Sequence, residues 1–188
     1  MSFFAYMLGL SALFACDLVV TRVLPSADIA LWAEARALIG SLGVIAALGL
    51  DLGMVRSPQS SIRMLGFAAV QVPLLAVLLG FGGHSLGYLS SPLSAAILAA
   101  GSASGLILGQ FYRAHHRYLP SQLVQQAWKI VALVALGAML SPLGFQAPPI
   151  DLVLGGRLLV TSLLGAVPLM RSCSTVQTQQ VPESPAVL

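Results

Sequence analysis

Residues 93–112 read LSAAILAAGSASGLILGQFY. The stretch carries no charge and has the length a helix needs to cross a membrane, about 20 residues rising 1.5 Å each through about 30 Å of hydrocarbon. Gly101, Gly105 and Gly109 recur at every fourth position, with Ala99 and Ser102 close by. That spacing gathers small residues on one helix face, where a neighbouring backbone can approach closely. Tight packing within a bundle is the simplest use of such a face.

Similar apolar runs lie on both sides, at 3–21, 31–50, 64–82, 126–145 and 152–170. Pro25, Gly82-Gly83, Pro120 and Pro148-Pro149 fall between them and mark the connections. Ser141-Pro142 interrupts the run at 126–145 and predicts a kink or an end there. None of these runs alternates with a period of two, which argues against a barrel. The expected fold is an all-α polytopic membrane bundle of about six transmembrane helices over 1–170, followed by a disordered cytoplasmic tail at 171–188. The tail is rich in Ser, Thr, Gln and Pro and cannot bury a core.

Composition agrees. The chain has 188 residues, of which 57% are hydrophobic and 8% charged, and a mean hydropathy of +0.91. A soluble domain carries about 25% charged residues to face water. Nine basic and six acidic side chains cannot coat a globule of this size, but they can line short loops. The net charge of +3 could suggest nucleic acid in a soluble protein. Here the basic residues fall between apolar runs, where they set topology, and no nucleic-acid partner is expected. Arg56, Arg63, Arg113, Arg117 and Arg171 then share one side with Lys129, read as lying at a helix start, while Arg22 stands on the other. The loop bias places both termini in the cytoplasm, with the chain in the cell inner membrane. No basic residue precedes the first apolar run, so it reads as a spanning helix and not as a signal peptide.

Four charges fall inside apolar runs: Asp17, Glu34, Arg36 and Arg157. Ionisable residues at membrane depth are costly and mark functional sites. In this topology all four occupy the outer half of the membrane. Asp17 and Arg36 belong to consecutive helices and have the depth to pair. Glu34 and Arg36 are two positions apart and point to different faces of one helix. Arg36 and Arg157 could offer an anion their forked donors from a polar cavity opening outward. Snorkelling and interhelical salt bridges account for Arg36 and Arg157 equally well, and are the plainer account of Glu34. Arg113, His115, His116 and Arg117 suit anionic headgroups, and the adjacent histidines do not share a helix face for a metal. Cys16 and Cys173 have no metal-ligand spacing, and no disulfide between them is expected. The motifs of phosphate-binding loops, nucleophile elbows and zinc proteases are missing, so neither an enzyme, a cofactor nor a metal is expected.

Three segments resemble a known family. RVLPSADIALWA at 22–33 is similar to the basic residue, short turn and aromatic-containing second helix of polysaccharide-export flippases, the Wzx-type members of the MOP superfamily. LGLDLGMVR at 48–56 resembles the Gly-Leu…Arg end of their second helix, through Gly49, Leu50 and Arg56. QFYRA at 110–114 looks like the aromatic-Arg-Ala segment after their fourth helix. The resemblance implies a lipid-linked oligosaccharide flippase of polysaccharide biosynthesis working by alternating access, with cationic residues holding the diphosphate. It favours Arg22, Arg36 and Arg56 as substrate-binding residues; Arg157 and Asp17 enter from their depth alone. Family members carry twelve or fourteen helices in two lobes. This chain resembles the N-terminal lobe, so it would pair with a second lobe or a second copy, or be a truncated form. A non-transporting assembly subunit and a permease of another family are the other expectations.

Overall fold

The structure is a computed structural model that describes residues 2–86 and 91–139, with Gly156, Val160 and Ala166 as isolated helical positions. The described residues form helices α1 (Ser2–Val23), α2 (Ser26–Ala47), α3 (Leu50–Arg56), α4 (Ser61–Ser85), α5 (Pro92–Ala114) and α6 (Tyr118–Met139), with a single 3-10 turn at Pro58–Ser60. Four stretches are long and apolar enough to cross a membrane: Phe3–Val23, Ser26–Ala47, Pro58–Ser85 and Pro92–Ala114. They mark the chain as a membrane protein. Residues 140–155 and the tail at 171–188, with Cys173, lie outside the described residues, as does most of the run expected at 152–170.

The helix α5 occupies the centre. It is 67% buried across its span, against 22% for each of the other three. It touches α2, α3, α4 and α6, while α1 packs chiefly against α6. Its small residues make this possible. Gly101, Gly105 and Gly109 are all buried, together with Ala95, Ala99, Ser102 and Ala103. A Cβ at Gly109 would press into Gln125 of α6. The helices α1 and α4 carry small stripes of their own, α1 toward α6 and α4 toward α5. Ala5, Gly9, Ala12, Cys16 and Val20 form the buried line of α1, and Ala68, Val72, Ala76 and Gly80 that of α4. With lipid outside, close van der Waals contact between backbones has to hold such helices together.

Three expected boundaries move. The second helix begins at Ser26 rather than 31, because Pro25 takes extended backbone just ahead of it and can precede a helix without costing it a hydrogen bond. It also ends early, at Ala47. Leu48 and Gly49 turn left-handed with φ of 44° and 75°, and the short α3 follows. The fifth apolar run begins its helix at Tyr118 rather than 126. Pro120 falls in the first turn, where its missing N–H costs nothing, so it starts α6 instead of separating it from α5. Lys129 is therefore not at a helix start. It lies eleven residues in, at about 16 Å of helix rise.

Leu48 pays for its turn in backbone strain, since a left-handed side-chain residue costs about 1 kcal/mol or more. It is 64% exposed and caps α2 with its N–H on Val44 and Ile45 carbonyls. Leu48→Gly keeps that cap and relieves the strain. A rise in the melting temperature of the detergent-purified protein is expected, from about 1 kcal/mol of added stability; an unchanged or lower value would show that Leu48 is not strained.

Candidate functional site

The antiparallel order of the helices gathers the loops at two ends. Arg56, Arg63, Arg113, His115 and Arg117 come together at one, where Ser61 Oγ at the start of α4 lies 3.0 Å from His115 Nε2 just after α5. Ser61 also donates to the Pro58 carbonyl at 2.6 Å, so His115 Nε2–H is the donor to Ser61. The His115 ring leans on Phe111, with centroids 4.6 Å apart. Arg22 ends α1 at the opposite end, exposed.

Between the two ends lies a polar layer. Arg36 Nη1 of α2 donates to Asp17 Oδ2 of α1 at 2.5 Å, and Trp32 Nε1, one turn earlier on α2, donates to Asp17 Oδ1 at 2.9 Å. One carboxylate thus satisfies an arginine and an indole on the adjacent helix. The pairing expected from depth is present. Its level is deeper than expected: with α2 starting at Ser26, Arg36 lies about 15 Å of rise into the helix, near its middle. Asp17 and Trp32 lie about 9 Å from that same end of their helices. The pair is partly open, with 40% of the Arg36 and 33% of the Asp17 side chain exposed. It bridges two helices that otherwise touch little, since α1 rests on α6 and α2 on α5.

Lys129 joins this layer from α6. The Cys16 thiol of α1, the neighbour of Asp17, approaches the Lys129 carbonyl at 3.9 Å. The Lys129 ammonium donates to Gln126 Oε1 at 2.5 Å and sits 5.9 Å from the centroid of the Trp128 ring. Gln126 is only 7% exposed because Gly9 of α1 leaves it room; a Cβ at Gly9 would come within 2.6 Å of Gln126 Oε1. The glycine thereby positions the glutamine that holds the lysine. Arg36 and Lys129 lie within electrostatic reach of each other.

The structure therefore brings together two of the five expected site residues, Asp17 and Arg36. It does not bring Arg56 to them. Eleven further residues of α2, about 16 Å of rise, and then α3 separate Arg56 from Arg36. Arg22 lies five positions beyond Asp17, at the end of α1, and Arg157 is outside the described residues. Glu34 makes no ion pair among the described residues. Sequence reasoning missed Trp32, Gln126 and Lys129. Pro120 was the available signal: read as a first-turn proline, it moves Lys129 from a helix start to the middle of α6. Among the described residues, no three His, Cys, Asp or Glu side chains gather where a metal could sit.

The layer can hold an anion. It contains one carboxylate against two cations, with an indole N–H and a glutamine amide alongside, in surroundings where charge interactions are strong. No protein family, curated protein or solved structure matches the chain.

Proposed function

We propose that this chain is one lobe of an inner-membrane transporter for a lipid-linked oligosaccharide, a flippase or half-flippase acting with a second lobe or a second copy of itself. The observation that carries the reading is the Asp17–Trp32–Arg36 bridge between α1 and α2, with Arg36 near the middle of its helix and the pair partly open. A polar pair at that depth is expensive unless it serves a purpose, and ion and substrate pathways are the usual one. The resemblance of 22–33, 48–56 and 110–114 to Wzx-type flippases supplies the substrate class. In this reading the basic end, with Arg56, Arg63, Arg113 and Arg117, faces the cytoplasm. The lobe carries its substrate across and performs no bond chemistry on it.

The assembly-subunit reading is weaker. Its main support is the glycine face of the fourth expected helix, and that face is used up inside the bundle, where Gly101, Gly105 and Gly109 are buried against the chain's own helices. Complementation separates the two. Cells lacking their own flippase should regain surface polysaccharide when this chain is supplied, alone or with a second lobe. Absence of rescue in both settings, with the protein inserted at normal level, would count against transport, and capture of a different partner by crosslinking would favour the subunit.

A further inference from the structure

The geometry points to Lys129, and not Arg36, as the cation that first meets the diphosphate of the substrate. The inference rests on the transport reading above and names the contact within that site.

Arg36 is already engaged. Its guanidinium lies on Asp17 Oδ2, and the same carboxylate takes the Trp32 N–H, so the charges of this pair cancel. Lys129 makes no ion pair among the described residues. Among the described residues its ammonium donates to the neutral Gln126 amide, itself wedged against Gly9. The cluster of Asp17, Arg36 and Lys129 thus carries a net charge of +1, and that charge resides on the lysine. Glu34 does not offset it locally, because it stands two positions from Arg36 on the same helix and turns to another face. A half-buried ammonium held by one neutral amide, with no carboxylate on it, is an incompletely compensated cation, and an entering phosphate oxygen supplies the missing charge. Lysine is suited to this as a compact, mobile point charge with three donors, whereas Arg36 is fixed in place by Asp17. Arg36 then acts as a positioning residue. It keeps Asp17 turned toward α2 and away from Lys129.

The chain's two tryptophans, Trp32 and Trp128, both flank the cluster, so intrinsic fluorescence reports on it. The test is a titration of the full detergent-purified chain with inorganic pyrophosphate, at constant ionic strength against sulfate. A saturable fluorescence change is expected for the native chain. Lys129→Gln should weaken it about tenfold or more, and Lys129→Arg should retain most of it. Asp17→Asn, which releases Arg36 and raises the cluster charge to +2, should tighten binding. A second arm adds either a polyprenyl diphosphate or phosphatidylglycerol as competitor. Competition by the polyprenyl diphosphate alone assigns the site to substrate; equal competition by phosphatidylglycerol assigns it to bulk headgroups and overturns the inference. Native-like binding in Lys129→Gln, weaker binding in Asp17→Asn, or no response in the native chain would also overturn it. Pyrophosphate binding that depends on Lys129, in a chain that fails complementation, would keep the contact and remove the transport reading.

Discussion

Arg36→Ala is expected to lower transport about 10–100-fold. The loss corresponds to about 1.4–2.8 kcal/mol on the transport barrier, at about 1.4 kcal/mol per factor of ten, from the cluster's lost positive charge and not from the pair's own strength. Two consequences of the substitution act together. The Asp17 carboxylate loses its cation and keeps only the Trp32 N–H. It then becomes available to Lys129, and the cluster charge falls from +1 to zero. Fold stability should suffer much less than transport. Arg36 and Asp17 retain 40% and 33% of their side-chain exposure, so their coupling belongs with partly open pairs worth about 1 kcal/mol or less. Adding Asp17→Asn to Arg36→Ala restores the +1 charge and should recover part of the transport and most of the stability. Initial rates of substrate transfer in reconstituted vesicles, beside melting curves in detergent, measure both. Unchanged transport in Arg36→Ala would reduce the pair to a strut.

The largest effect on folding is expected at Gly80. A Cβ there would lie 2.9 Å from both the Cβ and the backbone nitrogen of Ala96, and would also press on the Pro92 carbonyl. Two of those three atoms belong to backbone, which cannot rotate aside. Gly80→Leu must separate α4 from α5, the helix that α2, α3, α4 and α6 pack against, and a loss of about 1–3 kcal/mol or more is expected. Gly66 supplies the contrast within α4. Nothing lies within 4 Å of its Cβ position, so Gly66→Ala gains helix propensity, about 0.5–1 kcal/mol, without a clash. Opposite shifts in melting temperature for the two substitutions would establish that backbone contact, and not glycine as such, is what the bundle needs. Equal shifts would refute it.

The apolar runs were legible because spanning a bilayer imposes a length and a composition on each helix separately. The run at 93–112 matches α5 to within two residues at either end. The Asp17–Arg36 pair was legible too, since consecutive antiparallel helices place residues flanking a turn at similar depth. Boundaries set by backbone conformation were not. Neither the left-handed turn at Leu48-Gly49 nor the proline-led starts of α2 and α6 leave a mark on hydropathy. The two shifted starts each carried a charge with them, and Arg36 and Lys129 were both read nearer a helix end than they lie.

By itself, then, the sequence determined that this chain forms apolar helices of membrane-spanning length, that its basic residues concentrate at alternate connections, and that small residues line the helix at 93–112. These follow from local composition, which each segment holds independently of the rest. Only the tertiary structure decided which helix stands at the centre, which small face meets which neighbour, and that Lys129 of α6 shares a layer with Asp17 and Arg36. The α1 to α6 contact joins segments more than a hundred residues apart. It depends on Gly9 leaving space for Gln126, a complementarity of shape between two helices that neither of them encodes alone.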